Sequence, residues 1–175
     1  MPPITAAGVA PAPSAAARPP LGTPRYEALL LATSLSFAAG LIHVIAAVEH
    51  MSEFWLFGVF FAVLAAVQLG WGGWVFAHPG SSVLMIGVYL AWAVVILWMC
   101  SRTVGLPIGP TPWQPETPGA LDVAATSDEI VLALLALTLV GEDGEVTRML
   151  RLARGPAVAL LVFTGVALLT GAHHH

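Results

Sequence analysis

Five apolar stretches, separated by short polar segments, dominate the chain beyond residue 24. They cover residues 28–48, 54–76, 82–100, a segment that ends at Val140, and 156–171. A membrane-spanning α-helix needs roughly 20 mostly apolar residues, and four of the stretches reach or approach that length. The pattern therefore predicts an all-α, polytopic membrane helix bundle with about five transmembrane helices.

The fourth stretch is the least apolar of the five. Its uninterrupted apolar part, Ile130–Val140, has 11 residues, which at ~1.5 Å per residue covers about half of a ~30 Å hydrocarbon core. The acidic, glycine-flanked segment 141–144 resembles a turn and belongs in water. We therefore expect the helix to extend backwards to about residue 120, which takes Asp122 and Glu129 into the span. The alternative is a re-entrant or interfacial segment over Ile130–Val140.

Composition supports a membrane protein with an unstructured start. The chain is 58% hydrophobic and 9% charged, whereas soluble domains contain about a quarter charged residues. Residues 1–24 consist mainly of Pro, Ala and small polar residues, which predicts a disordered cytoplasmic tail before a transmembrane domain at 25–172. The net charge of −4 with six basic residues excludes a nucleic-acid partner. The expected partners are the lipid bilayer and, within it, other subunits or further copies of this chain.

The arginines predict the orientation, because cytoplasmic loops carry an excess of Lys and Arg. With five spans, the segment before the first span and the segment between the fourth and fifth spans fall on the same side. These two segments hold all but one of the arginines: Arg18, Arg25, Arg148, Arg151 and Arg154. The prediction is a multi-pass protein of the inner (plasma) membrane with a cytoplasmic N-terminus, which leaves Arg102 and the loop 101–118 outside.

Two predicted spans carry matching sets of ionisable residues. His43 and His50 are seven residues apart in span one, as are Asp122 and Glu129 in span four, so each pair shares a helix face and differs in depth by ~10 Å. Glu53 lies one turn beyond His50. Counting residues places His50, Glu53 and Asp122 together near the outer surface, above an inner pair of His43 and Glu129.

The chemistry of these groups suggests a metal, redox or proton/ion site. Imidazole and carboxylate ligands suit the transition metals Zn, Fe, Mn and Cu(II), and ionisable groups inside a bilayer are functional candidates by default. Glu49, Glu116 and Asp128 are reserve ligands. No known nucleophile, phosphate-loop or His-Glu-x-x-His pattern occurs in the sequence, so no catalytic residue is assigned.

Structural interpretations of the same residues stay open. Arg102 can pair with Glu53, Glu116 or Asp122 in a salt-bridge network that needs no metal. Asp122 or Asp128 can serve as a helix N-cap, which would shorten span four. The polar groups would then specify packing in a non-catalytic accessory or scaffold subunit of a larger membrane complex.

Other polar and aromatic residues suggest packing or anchoring. Gln68, within span two, is interpreted as a polar contact between helices. Four tryptophans near the predicted span ends are interpreted as interfacial anchors: Trp55, Trp71, Trp74 and Trp98.

Two motifs carry a family resemblance over roughly the first four spans. They are His43-x6-His50-x2-Glu53 and Ser101-Arg-Thr-Val-Gly-Leu-Pro-x-Gly-Pro110. With them the chain resembles uncharacterised small multi-span bacterial integral membrane proteins. The resemblance implies a membrane helix bundle and supplies no activity.

Overall fold

The computed structural model describes residues 19–141 and Arg148. Its helices are α1 (Pro24–Glu53), α2 (Trp55–Ala77), α3 (Ser81–Thr103) and α4 (Ala120–Val140), and residues 19–141 contain no strand. All four helices are long and apolar enough to cross a membrane. The all-α prediction is thus confirmed for four helices. The fifth predicted span, at 156–171, and residues 1–18 of the predicted tail lie outside the described residues.

Local sequence signals set the helix boundaries. The Thr23 hydroxyl accepts a hydrogen bond from the Tyr26 N–H (3.2 Å), and Pro24 stands in the first turn of α1, as is usual at helix starts. Phe54 alone separates α1 from α2, and its N–H donates to the carbonyl of His50 (2.9 Å). A short turn at 78–80 joins α2 to α3. Connections this short make neighbouring helices antiparallel.

The helices form a ring in which α1 contacts α2 and α4, and α3 contacts α4. Helices α2 and α3 contact each other least among the neighbouring pairs, and the backbones of the diagonal pairs do not approach each other closely. At one end of the bundle, here called the terminal end, the Arg25 guanidinium donates to the Leu139 carbonyl (2.9 Å). The opposite end, here called the loop end, carries the 104–119 loop. The start of α1 and the end of α4 therefore lie together.

The main hydrophobic core lies towards the terminal end. Trp71 belongs to it: this residue is 4% exposed, and its Nε1–H donates to the Val83 carbonyl (2.8 Å). A Cβ at Gly87 would overlap the Trp71 indole, so glycine is what lets α3 approach here. The anchor interpretation was wrong for Trp71, whereas Trp55 and Trp74 are exposed as an anchor requires. The larger fully buried core side chains are Leu29, Leu35, Val75, Leu84, Leu135 and Leu139.

Helix α4 is continuous from Ala120 to Val140. Ile130–Val140 is therefore the second half of one 21-residue helix, which is why it does not form the separate short segment of the alternative interpretation. Asp128 lies in the middle of this helix and is fully buried, so its interpretation as an N-cap was wrong. The backward extension brings Asp128 and Glu129 into the bundle.

Candidate functional site

A buried chain of hydrogen bonds joins three helices in the interior. Gln68 of α2 donates through Nε2 to Glu129 Oε1 of α4, and its Oε1 lies 2.8 Å from Nδ1 of His43 on α1. The Gln68 backbone carbonyl also accepts from the Ser36 hydroxyl (2.8 Å). All four residues are buried, with Glu129 only 1% exposed and His43 4%. We call His43, Gln68 and Glu129 the inner triad.

The amide of Gln68 determines which imidazole nitrogen carries hydrogen. Because an amide oxygen can only accept, His43 must donate through Nδ1–H. In a neutral imidazole this leaves Nε2 with its lone pair, the atom that can take up a further proton. His43 lies ten residues before the end of α1 at Glu53, or ~15 Å along the helix. The inner triad is therefore deep in the bundle.

Counting residues along the helices predicts that His43 lies level with Glu129 and that the two pair. The structure brings them together, but with Gln68 between them. The sequence signal for this bridge was the amide in an otherwise apolar part of α2. The interpretation of Gln68 as a contact between helices is confirmed, although its place between the two ionisable residues was missed.

Phe61 separates the two histidines of α1. Its ring stacks on His43 with 5.7 Å between centroids and on His50 with 5.1 Å. Together these separations match the ~10.5 Å rise of seven helical residues, as expected for a phenyl ring between two imidazoles. The histidines are therefore two separate positions, one deep and one at the loop end.

At the loop end, His50 pairs with Glu53 through Nδ1 and Oε2, 3.0 Å apart. The two side chains are 30% and 65% exposed. Pairing one turn apart on α1 is what the spacing predicted. This pair belongs to the wall of a pocket of about 380 Å³, which Phe57, Thr111 and Glu116 also line.

Asp122 is hydrogen-bonded to Arg102 and to the start of its own helix. Its Oδ2 accepts from Arg102 Nη2 (2.6 Å) and from the backbone N–H of Gly119 (2.9 Å), while Arg102 Nη1 donates to Glu116. Asp122 is therefore not the N-cap residue, which is Gly119, but from the first turn it accepts from the Gly119 N–H and ties the start of α4 to the end of α3. Of the pairings open to Arg102, those with Glu116 and Asp122 are present.

These contacts divide the predicted ligand set. His50 pairs with Glu53, Asp122 with Arg102, and His43 with Glu129 through Gln68. Within residues 19–141, no group of three or more His, Cys, Asp or Glu side chains could hold a metal ion. The metal site stays a prediction.

A cavity of about 550 Å³ lies in the loop half of the bundle and is lined by all four helices. His43 lies in its wall, and so do His50, Arg102 and Asp122 nearer the loop. Apolar and aromatic side chains make up most of the remaining wall. The deep histidine and the loop-end polar groups therefore line the same cavity.

The 104–119 loop forms the loop-end part of the cavity wall. Leu106, Pro107 and Ile108 line the cavity, and backbone hydrogen bonds hold the loop on α3, among them Gly105 N–H to Cys100 O (3.0 Å) and Glu116 N–H to Ser101 O (3.1 Å). Gly105 has φ +74°, a conformation that glycine adopts without strain. The proline- and glycine-rich motif therefore forms an ordered cap.

Two donors in the cavity wall were missed by sequence reasoning. Trp98 Nε1 and Arg102 Nε are buried, and neither has a hydrogen-bond partner in the part of the chain that the structure describes. A buried donor without an acceptor costs about 1–3 kcal/mol. Residue types alone do not indicate that a donor is buried without an acceptor, because this depends on what surrounds each side chain.

In comparisons with known proteins, no family model, no curated protein and no solved structure matches this chain.

The Arg102 pairs generate a stability prediction. Because Arg102 is 13% exposed and Asp122 36%, Arg102→Gln and Asp122→Asn should each destabilise the protein. In a double-mutant cycle we expect a coupling of about 1–2 kcal/mol. Unfolding in detergent micelles measures it.

The cycle of Arg102→Gln with Glu116→Gln is the control. Glu116 is more exposed, at 46%, so its coupling to Arg102 should be smaller, at about 0–1 kcal/mol. Equal couplings in the two cycles would contradict the role given to Asp122 in fixing α3 to α4.

Proposed function

We propose that this chain is an integral membrane protein that handles protons, with the inner triad as its proton-binding site. Four helices that are long and apolar enough to span a membrane support the first part. The single observation behind the second is the buried Glu129–Gln68–His43 chain, which connects a carboxyl group inside the bundle to the wall of a cavity.

Burial of Glu129 is the first step of the argument. An uncompensated carboxylate in a protein interior costs several kcal/mol, and within a bilayer such groups mark proton or ion pathways. Asp128 precedes Glu129 and is also buried, so charge on both would add repulsion. A bound proton or cation at Glu129 removes this cost.

Gln68 supplies the second step, because it ties the two ends of the triad together. Its amide presents a donor to Glu129 and an acceptor to His43, so a change of protonation at one end changes which amide orientation is favoured. His43 lines the cavity, and its Nε2 has the lone pair that takes up a proton when one arrives from there. Gln68 need not itself carry the proton.

We further propose the inner (plasma) membrane, with the terminal end in the cytoplasm. Arg25 contacts Leu139 at that end, and the sequence continues beyond α4 to Arg148, Arg151 and Arg154. This grouping of arginines is what the positive-inside rule associates with the cytoplasm. The cavity would then open in the outer half of the bilayer.

A pH titration followed by difference infrared spectroscopy tests the proton role. Among the carboxyl C=O bands that change with pH, we expect one that belongs to Glu129, because Glu129 gains and loses a proton. Glu129→Gln should abolish this band, and Gln68→Leu should shift its frequency because the Nε2 donor is removed. Glu53→Gln, at the exposed loop end, is the matched control and should leave the band unchanged.

If every pH-dependent carboxyl band persists in Glu129→Gln, the proposal is contradicted and the inner triad only packs helices together. The protein would then fit the accessory or scaffold subunit, and triad variants should change assembly with partners.

A metal at the loop end is the second proposal, and the His50–Glu53 pair beside a pocket supports it. Imidazole and carboxylate would hold Zn, Fe, Mn or Cu(II), with Asp122 as a third ligand if it leaves Arg102. Elemental analysis of gently extracted protein should find a stoichiometric metal that His50→Ala and Asp122→Ala both lose. A metal-free wild-type protein would remove this proposal.

A further inference from the structure

Two neighbouring residues of the cavity wall carry buried hydrogen-bond donors without acceptors. Trp98 and Arg102 are four residues apart on α3 and both line the cavity, so they share one helix face. The Arg102 Cζ lies 6.0 Å from the centroid of the Trp98 ring. Trp98 Nε1 and Arg102 Nε are both buried without a hydrogen-bond partner among the described residues. A ligand with acceptor oxygens in the cavity would satisfy both once the two side chains rotate to turn these atoms towards it.

The surrounding charges select a neutral ligand. Carboxylates of Glu116 and Asp122 already occupy the two terminal nitrogens of Arg102, and Glu49 also lines the cavity. A phosphate or carboxylate placed here would add a negative charge among three acidic side chains. A carbonyl oxygen accepts hydrogen bonds without bringing charge.

The rest of the cavity suits an apolar, partly aromatic body. Its wall on α2 includes Phe57, Phe60 and Leu64, and its wall on α3 includes Val94 and Leu97. The volume of about 550 Å³ is within the range of small-molecule sites. Since α2 and α3 contact each other least, the side between them offers a path from the lipid.

We propose that this cavity binds a neutral, membrane-soluble carbonyl compound of the quinone class. A carbonyl oxygen accepts hydrogen bonds from Trp98 Nε1 and Arg102 Nε, and the ring and its apolar chain lie between α2 and α3. The proposal concerns binding alone and does not depend on proton uptake by Glu129, so it can fail or hold separately.

Photolabelling of the full chain in phosphatidylcholine nanodiscs tests the site. The probe is an azido-substituted short-chain benzoquinone, with labelled peptides mapped by mass spectrometry. We expect saturable labelling of α2 and α3 that decylubiquinone suppresses and decylbenzene, which has no carbonyl, does not. Trp98→Phe keeps the aromatic ring but removes the donor, and should weaken competition by decylubiquinone about two- to tenfold.

Matched variants separate the cavity from the lipid-facing surface. Ala46→Leu adds bulk inside the cavity and should reduce labelling, whereas Ala66→Leu on the exposed face of α2 should not. Trp92→Phe, an exposed tryptophan on the same helix as Trp98, should leave competition unchanged. Equal effects of Trp98→Phe and Trp92→Phe would overturn the proposal.

Nanodiscs of ether lipids distinguish a quinone from the ester carbonyls of phospholipid. If the donors serve lipid esters, removing the esters should strengthen quinone labelling several-fold, which would overturn the assignment to quinones. Labelling that is the same in ester and ether lipids supports it. Suppression by decylbenzene as strong as that by decylubiquinone would mean apolar partitioning only and would also overturn it.

Discussion

The rest of the structure depends on the need to satisfy one buried amide, that of Gln68. It lies on α2, where an unpaired amide in an apolar environment would cost several kcal/mol. Its nitrogen donates to Glu129 of α4 and its oxygen accepts from His43 of α1. Helices α2 and α4 are diagonal in the ring and their backbones do not approach each other closely, so this side chain provides a hydrogen-bonded link across the bundle. Satisfying the amide fixes the relative depth of three helices.

The two halves of the bundle are packed differently. Towards the terminal end, Gly87 makes room for the Trp71 indole and the interior is filled. In the loop half, α2 presents phenylalanines and α3 presents Trp98 and Arg102 to a cavity. The loop half is therefore where a cavity adjoins the inner triad, through His43.

Sequence reasoning reached the helical architecture through length and polarity. Eleven apolar residues are too few for a span, which predicts that the fourth helix extends back over Glu129, and α4 does include Glu129. The same residue counting placed Glu129 level with His43. Helical periodicity is enough for such statements because rise per residue and face are regular.

What sequence reasoning could not supply depends on side chains meeting across helices. Arg102 pairs with Asp122 and not with Glu53. This pairing depends on the path of the 104–119 loop, which helical periodicity does not predict. Trp71 stood near a predicted span end like an interfacial anchor, yet the absence of a side chain at Gly87 lets it point inwards. The position of Gln68 between His43 and Glu129 likewise follows from helix rotation, which spacing alone does not determine.

The tautomer of His43 tests the inner triad most directly. Solid-state nitrogen NMR of the protein in lipid bilayers, with labelled histidine and glutamine, reads the protonation of each imidazole nitrogen, and His43→Asn identifies the His43 signals. At neutral pH we expect a proton on Nδ1 of His43, with dipolar contact to the Gln68 side chain. A neutral His43 protonated on Nε2 alone, or one without contact to Gln68, would contradict the hydrogen-bonded inner triad.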